Sequence, residues 1–324
     1  MTNNHVLLIA PNTYHYPRTI RTELIRQGKL VSYFPEFTEG LINGLLHRTG
    51  LKKYFEHARM LWLLRKLKRN PVAYLMIIRG SSITIDAIRK FRIILPDAIF
   101  ILYQWDSITN YDYSSKIPHF DFCASFDRQD CDSLDITYLP LFYPTKTRQS
   151  NSAMDKYDIG FVGSYTKDRL QFVLKVAIAC ADLKLSFYRF IFVPIVGFSK
   201  LPRREQRHLS FRRLTEARYL KQMQRCRCIV DYHHQQQSGL TMRTIEALGL
   251  GKKLITTNSM IALEPFYSAD YIQIISMDKP VIDADWVKRP SREYARIEHL
   301  RLDNWLNRLF EMASEPSITQ SKLN

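Results

Sequence analysis

The sequence predicts an α/β protein of two domains, each a parallel sheet flanked by helices. Three observations lead there. Short apolar runs of strand length, at 6–10, 30–34, 73–78 and 98–103 and again at 157–165 and 254–257, alternate with amphipathic segments of helix length. A chain of 324 residues is long for one domain and comfortable for two. Between the two sets of runs lies Thr145-Lys-Thr-Arg-Gln-Ser-Asn-Ser152, a polar segment preceded by Pro144, which places the division at residues 1–150 and 151–324.

The first domain opens as strand 6–10, loop 11–17, helix 19–27 closed by Gly28, and strand 30–34. In such a βαβ unit, ligands collect at the carboxyl ends of the strands, so Asn12, Tyr14 and His15 point toward a binding crevice. His15 suits a general base because its pKa lies near neutrality; simple packing in the loop is the alternative. Residues 41–70 form a basic helical stretch. Its mostly apolar stripe is Leu51, Tyr54, Phe55, Ala58, Leu61, Trp62 and Arg65, beside Lys52, Lys53, Arg59, Lys66, Lys68 and Arg69. Two readings fit: an interfacial helix lying on a bilayer, or a surface helix that packs Trp62 into the core. Strand 73–78, helix 83–91 and strand 98–103 follow. Asp106 sits just past that last strand, where it either handles an acceptor hydroxyl or caps the next helix. Short strands at 122–125 and 136–139 complete the half, with a helix starting near Asp127.

The second domain starts with Tyr157-Asp-Ile-Gly-Phe-Val-Gly-Ser-Tyr165, a strand ending in Gly163-Ser164, followed by Lys167, Arg169 and a helix over 170–181. A strand, a glycine turn and a basic helix start form a phosphate-approach site. A strand-like run at 185–195, a basic run at 203–213 and a helix over 210–224 come next. A strand ending at Ile229 and Val230, a polar loop at 233–238, a helix over 239–248 stopped by Gly249 and Gly251, and a strand at 254–257 make a further βαβ unit. Ser238-Gly239-Leu240-Thr241 offers two hydroxyls and an unhindered backbone at the positive end of that helix, and Arg243 adds a charge within a turn. Glu246 is placed to accept from ribose hydroxyls. The alternative is an ordinary Ser N-cap with a solvated Arg and Glu. A late strand at 271–275 and one amphipathic helix over 291–310, with Trp305, lead to a polar tail at 314–324. Asp283-Ala-Asp285 has a paired-acid pattern but follows no clear strand and reads as helix N-terminal acids.

Residues 239–249 and 252–258 resemble the donor-binding segment of bacterial glycosyltransferases with the GT-B fold, above all those of lipopolysaccharide, capsule and exopolysaccharide assembly. The likeness covers about the last half of the chain. In the wider group a Glu-(seven residues)-Glu motif is common, its second Glu on the nucleotide ribose and its first near the donor sugar. The second maps onto Glu246 and the first onto Ser238, so the resemblance assigns no first Glu and leaves the outcome open between retaining and inverting. The resemblance implies two Rossmann-like domains facing across a cleft, the first on the acceptor side and the second holding a nucleotide-sugar donor. It implies a hexosyltransferase-class transfer to a glycan or glycolipid hydroxyl. The donor-binding residues would be Gly163, Ser164, Lys167, Arg169, Ser238, Gly239, Leu240, Thr241, Arg243 and Glu246, with His15 or Asp106 acting on the acceptor. No metal and no cofactor beyond the nucleotide-sugar is expected. A catalytically silent, membrane-associated subunit of the same fold is the alternative, because Ser238 replaces the usual Glu.

Composition bounds the rest. The net charge of +16 suits nucleic acid, an anionic membrane or acidic small molecules. Nucleic-acid binding lacks a zinc pattern, an RNP-like motif or a helix-turn-helix signature. Five cysteines, odd in number and scattered, read as reduced structural thiols; Cys226-Arg227-Cys228 lacks the two-residue gap of zinc and redox motifs. No apolar run approaches the length of a signal peptide core or a transmembrane helix. The expectation is therefore a cytoplasmic protein, peripheral on the inner face of the plasma membrane.

Overall fold

A computed structural model of the chain describes residues 4–12, 15–37, 49, 52–144, 155–234, 237–290 and 294–315. The chain forms two compact units, residues 1–140 with 302–324, and residues 141–301.

Unit 1 contains β1 (His5–Ala10), α1 (Tyr16–Arg26), β2 (Leu30–Pro35), α2 (Lys52–Arg69), β3 (Tyr74–Ile78), α3 (Ile85–Ile94), β4 (Ile99–Gln104), β5 (Phe122–Ser125), α4 (Arg128–Leu134) and β6 (Thr137–Tyr138). Its sheet runs β2-β1-β3-β4-β5-β6, parallel at every pairing. The strands are near-continuous apolar runs because both faces are covered; Val6 to Ala10 and Leu75 to Ile78 are all buried. Thr84 and Asp127 cap α3 and α4 by accepting backbone amides.

Unit 2 contains β7 (Tyr157–Ser164), α5 (Lys167–Asp182), β8 (Phe187–Phe192), α6 (Glu216–Gln224), β9 (Cys226–Asp231), α7 (Met242–Gly249), β10 (Lys253–Thr256), β11 (Ile272–Ile274) and α8 (Ala284–Lys288). Its parallel sheet runs β11-β10-β9-β7-β8. The chain leaves β7 toward β8 on one side and returns as β9 on the other, so the β7/β9 junction is the topological switch point where open parallel sheets hold ligands. Asp283 accepts the Trp286 amide at 2.9 Å and caps α8, which is the helix-terminal role expected of it.

Four expectations change. The helix over 291–310 is broken: a 3-10 turn, Ala295–Leu300, is followed by extended Arg301 and only then by α9 (Leu302–Ser314). The break arises because Arg301 bridges Tyr143 in parallel and the Tyr143 amide donates to Leu300 O at 3.0 Å. Residues 151–324 are not one domain, since α9 returns to unit 1. There Trp305 is fully buried, edge-on to Tyr103 at 4.8 Å, and donates to Pro140 O at 2.8 Å. The boundary segment 145–152 itself lies outside the described residues, as do Tyr14, 41–48 and the tail beyond 315. Gly249 is the last residue of α7 rather than a stop. A Cβ there would meet the Tyr143 ring at 2.5 Å, so close packing selects the glycine, while Gly251 at φ +70 makes the left-handed turn. Finally, the core face of α2 is Leu63, Leu64 and Leu67, which leaves Trp62 57% exposed with Tyr54 and Leu61 beside it. Trp62 is not a core residue.

Candidate functional site

At the β7/β9 switch point the two phosphate-approach segments meet. β7 ends in Gly163-Ser164, and α5 begins at Lys167 behind its cap, Thr166. Arg169 folds back to donate to Ser164 O at 2.6 Å, with its guanidinium 5.4 Å from the Tyr232 ring just past β9. Lys167 is exposed on the first turn of α5. Arg243, on the first turn of α7, reaches across to β7. Its Nε donates to Val162 O at 2.8 Å, its Nη1 pairs with Asp231 at 2.9 Å, and its plane lies 4.8 Å from the Phe161 ring. Nη2 is left over Gly163.

That placement explains Gly163. A Cβ there would lie 2.9 Å from Arg243 Nη2 and 2.9 Å from the Phe161 ring. Gly163→Ala is therefore expected to push the guanidinium off its seat and weaken anion binding at least about 10-fold, with a stability loss of about 1–3 kcal/mol. Titration calorimetry with a nucleoside diphosphate, beside a urea melt, checks both.

The anchor of this arrangement is a residue that sequence reading passed over. Asp231, the last residue of β9, is fully buried. It accepts from Thr241 Oγ at 2.7 Å, Arg243 Nη1 at 2.9 Å, Thr244 Oγ at 3.2 Å and Thr256 Oγ at 3.4 Å. Four donors offset the cost of burying a carboxylate and tie α7, β9 and β10 together. The signal was present: an acid at the carboxyl end of a central strand, the criterion that singled out Asp106.

The start of α7 corrects the expected one. Thr241 is extended, with ψ 158, and is itself the N-cap, its hydroxyl accepting the Thr244 amide at 3.3 Å. Ser238 is not the cap. Ser238, Gly239 and Leu240 are buried loop residues ahead of the helix, and Asn258 Nδ2 holds the Ser238 and Gly239 carbonyls at 3.1 and 3.3 Å. The helix amides open to an anion belong to Met242 and Arg243. Glu246 sits one turn further in, 3% exposed, and accepts the Tyr219 hydroxyl of α6 at 2.6 Å. Burial, and next to it the Glu246 charge, push the Tyr219 phenol well above its ordinary value, so it stays a donor. No periodicity in the sequence marks Tyr219 as the partner of Glu246; only the packing of α6 does.

His15 and Asp106 lie in unit 1, at the carboxyl edge of its sheet. His15 occupies the N-cap position of α1 without capping it by its side chain, its ring 4.4 Å from Tyr16. Asp106 accepts from Asn110 at 2.7 Å and lies 3.5 Å from Arg79 Nη2. Arg79 and Gly80 both adopt positive φ, at 67 and 68, and a non-glycine residue in that region marks a constrained turn. Sequence reading missed what surrounds it. Buried Glu36 accepts Ser81 Oγ at 2.8 Å and the Ser82 amide at 2.7 Å, and buried Lys116 donates to Gly80 O at 2.6 Å. Burial draws the Lys116 ammonium down to about 8, against the opposing pull of Glu36.

No family profile and no curated protein matches the chain by sequence. Solved structures do match in shape. A glycosyltransferase from Rickettsia africae is similar over 98% of this chain and 100% of its own, with a TM-score of 0.60 and 10% identity. The fold is GT-B. A UDP-forming α,α-trehalose-phosphate synthase from Burkholderia xenovorans, in complex with glucose-6-phosphate, is similar over 95% of this chain and 99% of its own (TM-score 0.59, 8% identity). The UDP-GlcNAc 2-epimerase of Methanocaldococcus jannaschii, in complex with UDP-GlcNAc and UDP, covers 95% and 98% (TM-score 0.52, 7% identity). At these identities the likeness concerns the GT-B fold, and chemistry has to be argued from the residues of the site.

Proposed function

We propose that this GT-B chain is a glycosyltransferase that moves a sugar from a nucleoside-diphosphate donor, held in unit 2, to a hydroxyl of a bacterial surface glycan or glycolipid such as a lipopolysaccharide core or capsule precursor. The observation that carries this reading is the seat of Arg243, with Nη2 over Gly163 beside the first amides of α7 at the β7/β9 switch point. A leaving diphosphate gains negative charge as the glycosidic bond breaks. Arg243, Arg169 and the amides of Met242 and Arg243 are fixed in advance to meet that charge, exposed Lys167 adds a mobile cation at the start of α5, and no metal is called for. Glu246 takes the ribose. In unit 1, His15 or Asp106 orients or deprotonates the acceptor hydroxyl.

The fold neighbours point to UDP as the first nucleotide to try: one is described as UDP-forming and another was solved with UDP-GlcNAc and UDP. The membrane side of the reading rests on α2. Trp62, Tyr54 and Leu61 are exposed on a helix that also carries Arg65, Lys66, Lys68 and Arg69, a composition that suits an anionic interface. No helix among the described residues is long and apolar enough to cross a membrane. We place the protein in the cytoplasm, peripheral on the inner leaflet, where lipid-linked acceptors are built.

A thermal-shift panel of UDP, GDP, ADP, CMP and dTDP, with their common sugars, tests the donor reading. One nucleotide at a hundred times its Kd is expected to stabilise unit 2 by about 2.7 kcal/mol, a rise of about 5–10 °C in Tm. A cooperative melt that no nucleotide moves would favour the silent-subunit alternative.

A further inference from the structure

The donor reading leaves one feature of unit 2 unused. Between β8 and α6 the chain makes an excursion, residues 193–213, that carries the basic run noted in the sequence. It is ordered by its own contacts. The Val193 amide donates to Ser210 O at 3.0 Å and the Ser210 amide to Ile191 O at 2.8 Å, closing the excursion back onto the end of β8. Gln206 Nε2 donates to Phe198 O at 3.1 Å and Leu201 O at 2.8 Å, and the Phe198 and Phe211 rings meet at 5.3 Å. The Tyr165 hydroxyl, immediately after β7, donates to Glu205 at 2.6 Å and pins the excursion to the carboxyl edge of the sheet.

Two properties of its surface belong together. At one end, on the short turn Ile195–Phe198, Ile195 is 56% and Val196 65% exposed, and Phe211 is exposed beside them. The same excursion carries Lys200, Arg203, Arg204, Arg207, Arg212 and Arg213, all exposed. The one acid of residues 195–213 is Glu205, already engaged by Tyr165. Among the described residues, Lys200, Arg203, Arg204, Arg207 and Arg212 form no ion pair with a carboxylate. An ordinary solvated charged face intersperses both signs and does not lift branched aliphatic side chains into water at its tip.

We propose that residues 195–213 are a bilayer-docking element on unit 2, with Ile195 and Val196 entering the headgroup boundary and the surrounding guanidinium groups holding lipid phosphates. Arginine pairs with phosphate through two parallel hydrogen bonds, and aliphatic tips gain by leaving water at the interface. The outermost side chains separate this occupant from nucleic acid: Ile195 and Val196, more exposed than Phe211, have no ring face on which a base can stack, and the Phe211 ring is already packed edge-on against Phe198. The element leaves the sheet at the edge that carries Gly163 and Ser164; the Tyr165 amide donates to Phe192 O at 2.7 Å. If that edge holds the donor, as the proposed function has it, docking brings the donor site to the layer in which a lipid-linked acceptor resides.

The test uses the full chain without nucleotide. Val196→Cys is labelled with an NBD fluorophore, against a background set by the labelled wild type, whose five cysteines are buried or half-buried. Vesicles of phosphatidylglycerol and phosphatidylcholine in equal parts are expected to raise the NBD emission about threefold with a blue shift; phosphatidylcholine alone leaves it unchanged. In a Trp62→Ser background, which removes the tip of α2, the signal persists. Cosedimentation with the mixed vesicles falls at least about 10-fold in the Ile195→Ser/Val196→Ser chain and in the Arg203→Glu/Arg204→Glu/Arg207→Glu chain. Both keep the wild-type Tm, because the altered side chains are exposed. The proposal is overturned if NBD stays silent while the protein sediments, if Trp62→Ser alone abolishes binding, or if polyuridylate moves the NBD signal and vesicles do not. Nucleotide binding is read separately, so a failed docking test leaves the donor reading standing, and a chain blind to nucleotide can still dock.

Discussion

Glu246→Gln is expected to weaken nucleoside-diphosphate binding about 5- to 10-fold while moving Tm by no more than about 2–4 °C. The affinity loss follows from exchanging a charge-assisted hydrogen bond to a ribose hydroxyl for a neutral one, a difference of about 1–1.5 kcal/mol. The small effect on stability follows from the partner. Glu246 accepts the Tyr219 hydroxyl at 2.6 Å in a buried setting, and glutamine keeps an acceptor oxygen for it. Alanine is the wrong probe. It would strand the Tyr219 hydroxyl without an acceptor, at about 1–3 kcal/mol, and a large melt would then say nothing about the donor. Calorimetric titration of the glutamine chain with the nucleotide chosen by the thermal-shift panel settles the matter. Binding as tight as wild type would reduce Glu246 to a strut for α6.

The layout of the sheets was legible because parallel strands buried on both faces advertise themselves. Runs such as Val6 to Ala10 and Leu75 to Ile78 leave no other reading, and the glycine and threonine punctuation around them marks the turns. Helix ends were harder. Ser238 and Gly239 both suit a helix terminus, yet the cap of α7 is Thr241. What decides it is Asp231, which draws in the Thr241 hydroxyl from a strand ten residues earlier in the chain. The same kind of long-range choice breaks the last helix. Its amphipathic pattern runs through Arg301, but the pairing with Tyr143 forces that residue to be extended, and Trp305 is then buried beneath Tyr103 of unit 1. The stripe on α2 misled for a different reason. Tyr54, Phe55 and Leu61 are spaced as a core face would be, while the true core face, Leu63, Leu64 and Leu67, is narrower and hidden among lysines and arginines. Of the proposed site, Gly163, Arg243 and Glu246 were visible as types in a pattern. Those that hold them, Asp231, Tyr219, Asn258 and Phe161, were not, because their partners come from other strands and helices.

Asp231→Ala is expected to cost unit 2 about 3–5 kcal/mol, a fall of about 6–20 °C in its Tm, the largest effect of any single substitution at this site. Nothing replaces what the carboxylate does. The Arg243 guanidinium, with only 15% of its side chain exposed, loses the carboxylate it is paired with at 2.9 Å. Thr241 and Thr244 of α7 and Thr256 of β10 lose the acceptor that ties both elements to β9. The asparagine variant should be milder, at about 1–3 kcal/mol. Its amide oxygen still serves Thr241 and Arg243, and threonine hydroxyls can turn to accept from its nitrogen. Urea denaturation followed through Trp286, which is buried in the same unit, gives the order Ala below Asn below wild type with an unchanged m-value. An alanine variant within about 1 kcal/mol of wild type would mean that Arg243 escapes to water at little cost, and so that the site is not assembled around Asp231. The converse outcome has a functional edge. If Asp231→Asn holds its fold but loses nucleotide binding as Gly163→Ala does, the carboxylate acts on the ligand through the orientation of Arg243, because it is itself too deeply buried to touch one.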